Sequence, residues 1–215
     1  MTRIGRLHVL TDTELQTRYS AMEIARLAIA GGAETIQFRQ KTGSTRQLIL
    51  VAAELRQVCR ESGVTFIVND RLDVALAVEA DGVHLGQDDF PIALARELLG
   101  PHRIIGGSAS DVEEARKCVA EGADYIGFGP VYPTGSKADA RQPAGVQGLR
   151  AVAESLTVPV IAIGGINAAN TGQLLRSRAH GIAVIAAVCC QDDPEGATRI
   201  LARALLEGDR EGTRA

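Results

Sequence analysis

Short apolar runs rich in β-branched residues alternate along the chain with longer stretches of helical period, which is the pattern of repeated strand–helix units. Eight strands are expected: Leu7–Leu10, Thr35–Arg39, Thr65–Val68, Gly82–Leu85, Ile104–Gly107, Tyr125–Phe128, Val160–Ile163 and Ile182–Ile185. Between them, Ser44–Glu61 sets Leu48, Val51, Ala52, Leu55 and Val58 on one stripe of a helix. Pro91–Leu99 reads as a helix with proline near its first turn, and Asp111–Glu121 as one opened by Asp111 and stopped by Gly122. Small residues end a helix and launch a strand at Gly32–Ile36, Ala80–Val83, Gly122–Ile126 and Ala179–Ile182, ahead of every second strand. Alternate strands that contribute alike to the interior suit a single (β/α)8 barrel of the α/β class, with its active site at the C-terminal ends of the strands. The competing architecture, an open doubly wound sheet, usually has fewer strands.

The length of 215 residues leaves little beyond eight such units: residues 1–206 form the expected domain and 207–215 a charged, frayed tail. Hydrophobic residues make up 46% but aromatics only 3%, with no Trp, so the core is expected to consist of Ala, Val, Ile and Leu. A formal charge of −3 argues against a general nucleic-acid binder. No apolar run reaches the ~20 residues needed to span a bilayer, and the first residues carry no secretory signal pattern, which points to the cytoplasm and away from membranes. Cys59, Cys118, Cys189 and Cys190 show no metal-ligand spacing and read as reduced thiols.

On a barrel the residues that follow each strand carry the chemistry. Arg39 and Lys41, at i and i+2, share one side of an extended segment and suit an anion, unless they are an ordinary solvated strand end. Asp70 and Asp89 follow neighbouring strands and offer hard oxygen ligands of the kind Mg²⁺ accepts beside phosphate oxygens, although each could equally cap the next helix. A pyrophosphate ester of about three negative charges, with two Asp, would balance Mg²⁺ and the cations Arg39, Lys41 and Lys137. The long run from Gly129 to Gly145 reads as an active-site lid with Lys137 near its centre. Its Gly135-Ser136-Lys137 is not a nucleotide P-loop, because Ser follows the glycine and Pro130 and Pro133 remove amide donors. Gly164-Gly165 and Ala186-Ala187, after the seventh and eighth strands, open backbone amides where barrels commonly bind phosphate, or serve tight packing alone. His8, His84, His102 and His180 form no usable pattern, and His84 is expected to be a hydrogen-bonded core or mouth histidine.

The segments Gln37-Phe38-Arg39-Gln40-Lys41, Asn69-Asp70, His84-Leu85-Gly86-Gln87-Asp88-Asp89, Gly129-Pro130-Val131-Tyr132-Pro133-Thr134, Lys137, Ile163-Gly164-Gly165-Ile166 and Ile185-Ala186 resemble, in order, those of the thiamine phosphate synthase family. The resemblance spans about Leu7 to Pro194. It implies a transferase of thiamine biosynthesis that joins a hydroxymethylpyrimidine pyrophosphate to a (carboxy)thiazole phosphate, gives thiamine phosphate and releases pyrophosphate. It implies that Gln37, Phe38, Arg39, Gln40, Lys41, Asn69, Ser108 and Lys137 hold the pyrimidine pyrophosphate. By the same resemblance Arg39, Lys41, Ser108 and Lys137 would be the catalytic candidates, and Asp70 and Asp89 would bind one Mg²⁺. Thr134, Gly135, Ser136, Gly165, Ile185 and Ala186 would hold the thiazole phosphate. Partners are small-molecule substrates, and a homo-oligomer is compatible with this reading.

Two positions depart from the family pattern: Ala186 stands where Ser is frequent, and Ser110 where a Gly-x-Ser-x-His turn has its His. That His is the candidate proton-transfer group of the related thiazole tautomerases, so its absence speaks against that isomerase activity. A non-catalytic phosphate-binding regulator would have no need of both Asp70 and Asp89. A phosphosugar isomerase or aldolase would want a Glu, His or Lys base at a strand mouth, and none is well placed.

Overall fold

A computed structural model describes residues 4–136 and 141–212. Its strands are β1 (Leu7–Thr11), β2 (Thr35–Phe38), β3 (Thr65–Asn69), β4 (Gly82–Leu85), β5 (Ile104–Ala109), β6 (Tyr125–Phe128), β7 (Val160–Ile163) and β8 (Gly181–Val184). They pair in parallel in chain order, and β8 returns to β1 to close a barrel. The helices are α1 (Ala21–Gly31), α2 (Thr45–Ser62), α3 (Leu72–Ala77), α4 (Ile92–Leu99), α5 (Val112–Ala120), α6 (Gly145–Ser155), α7 (Thr171–Leu175), α8 (Ala186–Cys189) and α9 (Pro194–Gly212). This is the (β/α)8 barrel the pattern predicts, with every strand end within two residues of expectation. β2 stops at Phe38, where its pairing with Thr11 ends, and Arg39 leaves the sheet as the first residue of the mouth.

Local chemistry sets the helix starts. Ser44 caps α2 by accepting from the Gln47 backbone N–H while the Gln47 side chain accepts from that of Ser44; Ser20 and Glu23 do the same for α1. Asp111 caps α5 through the Glu114 N–H at 2.8 Å. Pro91 sits one residue ahead of α4 rather than inside its first turn. α9 continues to Gly212, so residues 207–212, read from sequence as part of a frayed tail, extend a helix that packs on α1 and α7 through buried Leu201 and Leu205.

The layer between strands and helices is mainly aliphatic, with Leu7, Val9, Ile36, Val83, Ile105 and Ile182 almost inaccessible, and Phe38, Phe66 and Phe128 are buried in the same core. The centre of the barrel is different. His8, His84 and Tyr125 meet there as tilted rings, with centroids 5.5 Å apart for His8–Tyr125 and 5.4 Å for His84–Tyr125. Gly106 and Gly127 on the adjoining strands make the room: a Cβ on Gly106 would overlap the Tyr125 ring and His84, and one on Gly127 would lie 2.8 Å from His84 Cε1. The expectation of a purely aliphatic interior is corrected accordingly: two missing side chains leave room for His84 and Tyr125, and His8 packs against Tyr125.

Candidate active site

A cavity of about 660 Å³ opens at the C-terminal ends of the strands. One wall carries Arg39, Lys41, Asp70, Asp89 and Ser108; the other carries Thr134, Gly135, Ser136, Gly164, Gly165, Ile185 and Ala186. The β-strands thus bring together residues as far apart in sequence as Arg39 and Ala186.

Arg39 and Lys41 both reach the cavity but turn to opposite neighbours. Arg39 pairs through Nη1 with Asp12, just beyond β1, and both are buried, at 7% and 1% exposure. Lys41, half exposed, pairs with Asp70 beyond β3. The solvated strand end is therefore excluded for Arg39. The rest of this segment does not line the cavity. Gln37 is buried within β2, Phe38 packs in the apolar core, and the Gln40 side chain donates to its own turn at Thr42 O, 3.0 Å away. For Phe38 this is a correction: strand alternation turns its side chain to the helix layer, opposite to Arg39. Asn69 touches the site indirectly, donating to Asp70 Oδ1 at 2.5 Å.

Asp70 has a φ of +64°, a left-handed conformation uncommon for any residue but glycine, held by its N–H donating to His84 O at 2.8 Å. Neither carboxylate caps a helix. Asp70 is engaged by Lys41 and Asn69, and Asp89 accepts from the Gly86 N–H at 2.6 Å, folding the Gly86–Asp89 turn against it. The two also meet each other. Burial and the Asp70 charge raise the pKa of Asp89, whereas for Asp70 burial is outweighed by hydrogen bonds from Lys41 and Asp89, which lower it. Two carboxyl groups this close share a proton unless a cation lies between them, and two hard oxygen donors of this kind fit Mg²⁺. Among the described residues no group of three or more His, Cys, Asp or Glu converges, so the remaining oxygens would come from ligand and water.

Ser108, on β5, faces the cavity and is held from behind. His84 Nε2 lies 2.9 Å from Ser108 Oγ, and His84 Nδ1 lies 2.9 Å from the Tyr125 hydroxyl, so both ring nitrogens are satisfied as expected. Burial, then Asp124, pushes the Tyr125 pKa up and keeps that hydroxyl protonated. Ser110 is tied down: Arg141 donates to Ser110 Oγ and Glu114 Oε1, both at 2.6 Å, and Ser110 donates to Glu114 Oε2. Partial burial works against ionisation of Glu114, but hydrogen bonds from Arg141 and Ser110 hold its pKa below the usual range.

On the opposite wall, Val131 N donates to Ile163 O and Tyr132 N to Gly164 O, so the segment after β6 runs along the end of β7. Gly164 and Gly165 have φ of +97° and +65°, and a Cβ on either would strike this segment, at Pro130 or at Tyr132 and Pro133. Their first duty is close packing, and the cavity they line is the result. Ile185 and Ala186 open the short α8, which no side chain caps. Thr134 Oγ1 accepts from Ser136 N at 3.2 Å. Lys137, the expected lid cation, lies outside the described residues.

The sequence reading missed Asp12, Tyr125, Glu114 and Arg141. Asp12 directly follows the first strand, a position that signals a mouth residue on any barrel; Tyr125 and Arg141 carry no local signal, since their partners are distant in the chain, and Glu114 meets Ser110 one helical turn away but Arg141 only through the fold. Asp12 also changes the charge balance, adding a buried negative charge that already neutralises Arg39.

Fold and site together define a (β/α)8-barrel enzyme with a cavity lined by charged side chains and glycines at the carboxyl ends of its strands. Residues 7–188 match the family model described as thiamine monophosphate synthase. A thiamine-phosphate synthase of Chloroflexus aurantiacus is 50% identical over 206 residues, 96% of this chain and 94% of the relative. One of Salinibacter ruber is 51% identical over 95% of this chain and 90% of the relative. The solved thiamine phosphate pyrophosphorylase of Pyrococcus furiosus superposes with a TM-score of 0.87 at 45% identity, covering 94% of this chain and 96% of that one. A 3-hexulose-6-phosphate synthase, at TM-score 0.66 and 18% identity, shares the fold alone. The chain belongs to the thiamine monophosphate synthase family.

Proposed function

We propose that this protein joins a hydroxymethylpyrimidine pyrophosphate to a (carboxy)thiazole phosphate, forming thiamine phosphate and releasing pyrophosphate, in the cytoplasm. The observation that carries this reading is a single cavity with two unlike walls: charged side chains and paired carboxylates on one, glycine-rich backbone and the start of α8 on the other. Two phosphorylated substrates could lie in it with their reacting ends between the walls.

In this reading Arg39, Lys41 and Lys137 hold the pyrophosphate, and Asp70 and Asp89 would hold Mg²⁺. Bound there, Mg²⁺ would supply charge to the leaving pyrophosphate. Ser108, fixed by His84, offers a preorganised hydroxyl to the pyrimidine side. Thr134, Gly135, Ser136, Gly165, Ile185 and Ala186 orient the thiazole phosphate. The pyrimidine methylene loses its bond to the pyrophosphate oxygen and gains one to the thiazole nitrogen. The amino group on the ring stabilises the developing methylene cation, so the residues need only stabilise leaving charge and hold the nitrogen in line. A mouth of paired cations and carboxylates suits that task, and Ser110, where the tautomerase pattern has its His, is occupied by Arg141 and Glu114.

Purified protein incubated with both substrates and Mg²⁺ is expected to release thiamine phosphate and pyrophosphate in equal amounts, and to stop when EDTA is added. Binding of the thiazole phosphate without any product would instead indicate a regulator.

A further inference from the structure

We propose that Asp12 is a positioning residue for Arg39, setting how the protein grips the pyrophosphate end of one substrate and leaving the other substrate untouched. The inference rests on the functional reading above and extends it to a residue outside the cavity wall. Arg39 lines the cavity, and Asp12 does not.

Asp12 is held rigidly. Its Oδ1 accepts from the backbone N–H groups of Glu14 at 2.9 Å and Leu15 at 3.0 Å, which leaves Oδ2 for Arg39 Nη1. The turn carrying it is fastened in turn by Gln16, whose Nε2 donates to Asp12 O and Tyr19 O while its Oε1 accepts from Tyr19 N. Arg39 is held weakly by comparison. Its Nε is buried with no hydrogen-bond partner among the described residues, and its backbone N–H makes only a long 3.4 Å contact to Thr11 Oγ1. The side chain of Arg39 is therefore oriented by its contact with Asp12. A carboxylate beside an anion-binding cation weakens the local field, and a buried ion pair adds little net stability. Fixing the direction of a guanidinium fork is the return for both costs, since fork geometry decides bidentate recognition of phosphate.

Asp12→Asn keeps Oδ1 for the turn and nearly the same shape, and removes the charge that aims Arg39. The expected result is a rise of about 10- to 100-fold in KM for the pyrimidine pyrophosphate, the scale of misplacing a binding group by about an ångström, with KM for the thiazole phosphate unchanged. Inorganic pyrophosphate, measured by calorimetry on the whole protein, should lose affinity in parallel, a readout that needs no turnover. On an Arg39→Gln background, Asp12→Asn should cost nothing more. Equal losses for both substrates, unaltered pyrophosphate affinity, or a full additional loss on the Arg39→Gln background would each overturn the proposal and leave Asp12 as a support for its own turn. Should Asp12→Asn alone not fold, the double variant compared with Arg39→Gln gives the same decision: equal pyrophosphate affinity supports the role, and a further loss refutes it. A wild-type protein without synthase turnover but with Asp12-dependent pyrophosphate binding would refute the proposed reaction and uphold this inference.

Discussion

Gly106 shows how a residue with no side chain sets the interior. A methyl there would overlap Tyr125 and His84, whose ring holds Ser108 at 2.9 Å. Gly106→Ala is expected to cost about 1–3 kcal/mol by overpacking, read as a lower melting temperature and a smaller urea midpoint. At the same scale Lys137→Ala should reduce turnover by about 10²–10³, the loss typical of one preorganised donor, in steady-state assays with both substrates. Near-full turnover would remove Lys137 from the chemistry. Arg39, Lys41, Asp70 and Asp89 were legible as mouth residues because each follows a strand. The role of Asp12 was not, because a carboxylate says nothing of its partner until β1 and β2 are paired.

Elements behave as their ends dictate. α2 begins where Ser44 and Gln47 exchange hydrogen bonds, and its stripe of Leu48, Ala52, Leu55 and Val58 is buried. Ser44→Ala should destabilise the protein by about 1 kcal/mol with catalytic constants unchanged, measured by chemical denaturation alongside kinetics. Strands were read almost to the residue, since apolar runs bounded by small or polar residues mark them. Helix α9 continues to Gly212, past the point at which the charged sequence reads as a tail. Of the two readings of Gly164 and Gly165, amide donors or tight packing, the structure adds support for close packing, because the segment that presses on them comes from the end of another strand.

At the scale of the whole molecule, closing the barrel buries a histidine. Burial, with His180 nearby, lowers the pKa of His8 from 6.5 to about 4, against the hydrogen bond to Gly5 O that raises it. The unfolded chain then binds a proton that the folded chain refuses. Stability is unaffected by this group above pH 6.5, falls as pH drops from there to about 4, and levels off below, for a loss of roughly 3 kcal/mol. Urea unfolding at pH 7 and pH 5 should show the decline, and the His8 ring resonances should stay those of a neutral imidazole throughout. A His8 ring that titrates near pH 6.5 in the folded protein would refute it.

By itself the sequence determined the eight strand–helix units, the aliphatic shell, and which positions stand at strand ends, because these follow from local periodicity and chain punctuation. The family motifs it carries were likewise visible as strings of residues. Only the tertiary structure decided which of those residues meet. It paired Arg39 with Asp12 and Lys41 with Asp70, set Phe38 in the core, filled the barrel centre with three rings, and tied Ser110 to Arg141. Each is a contact between segments distant in the chain, fixed by strand register and barrel closure, and no local pattern encodes it.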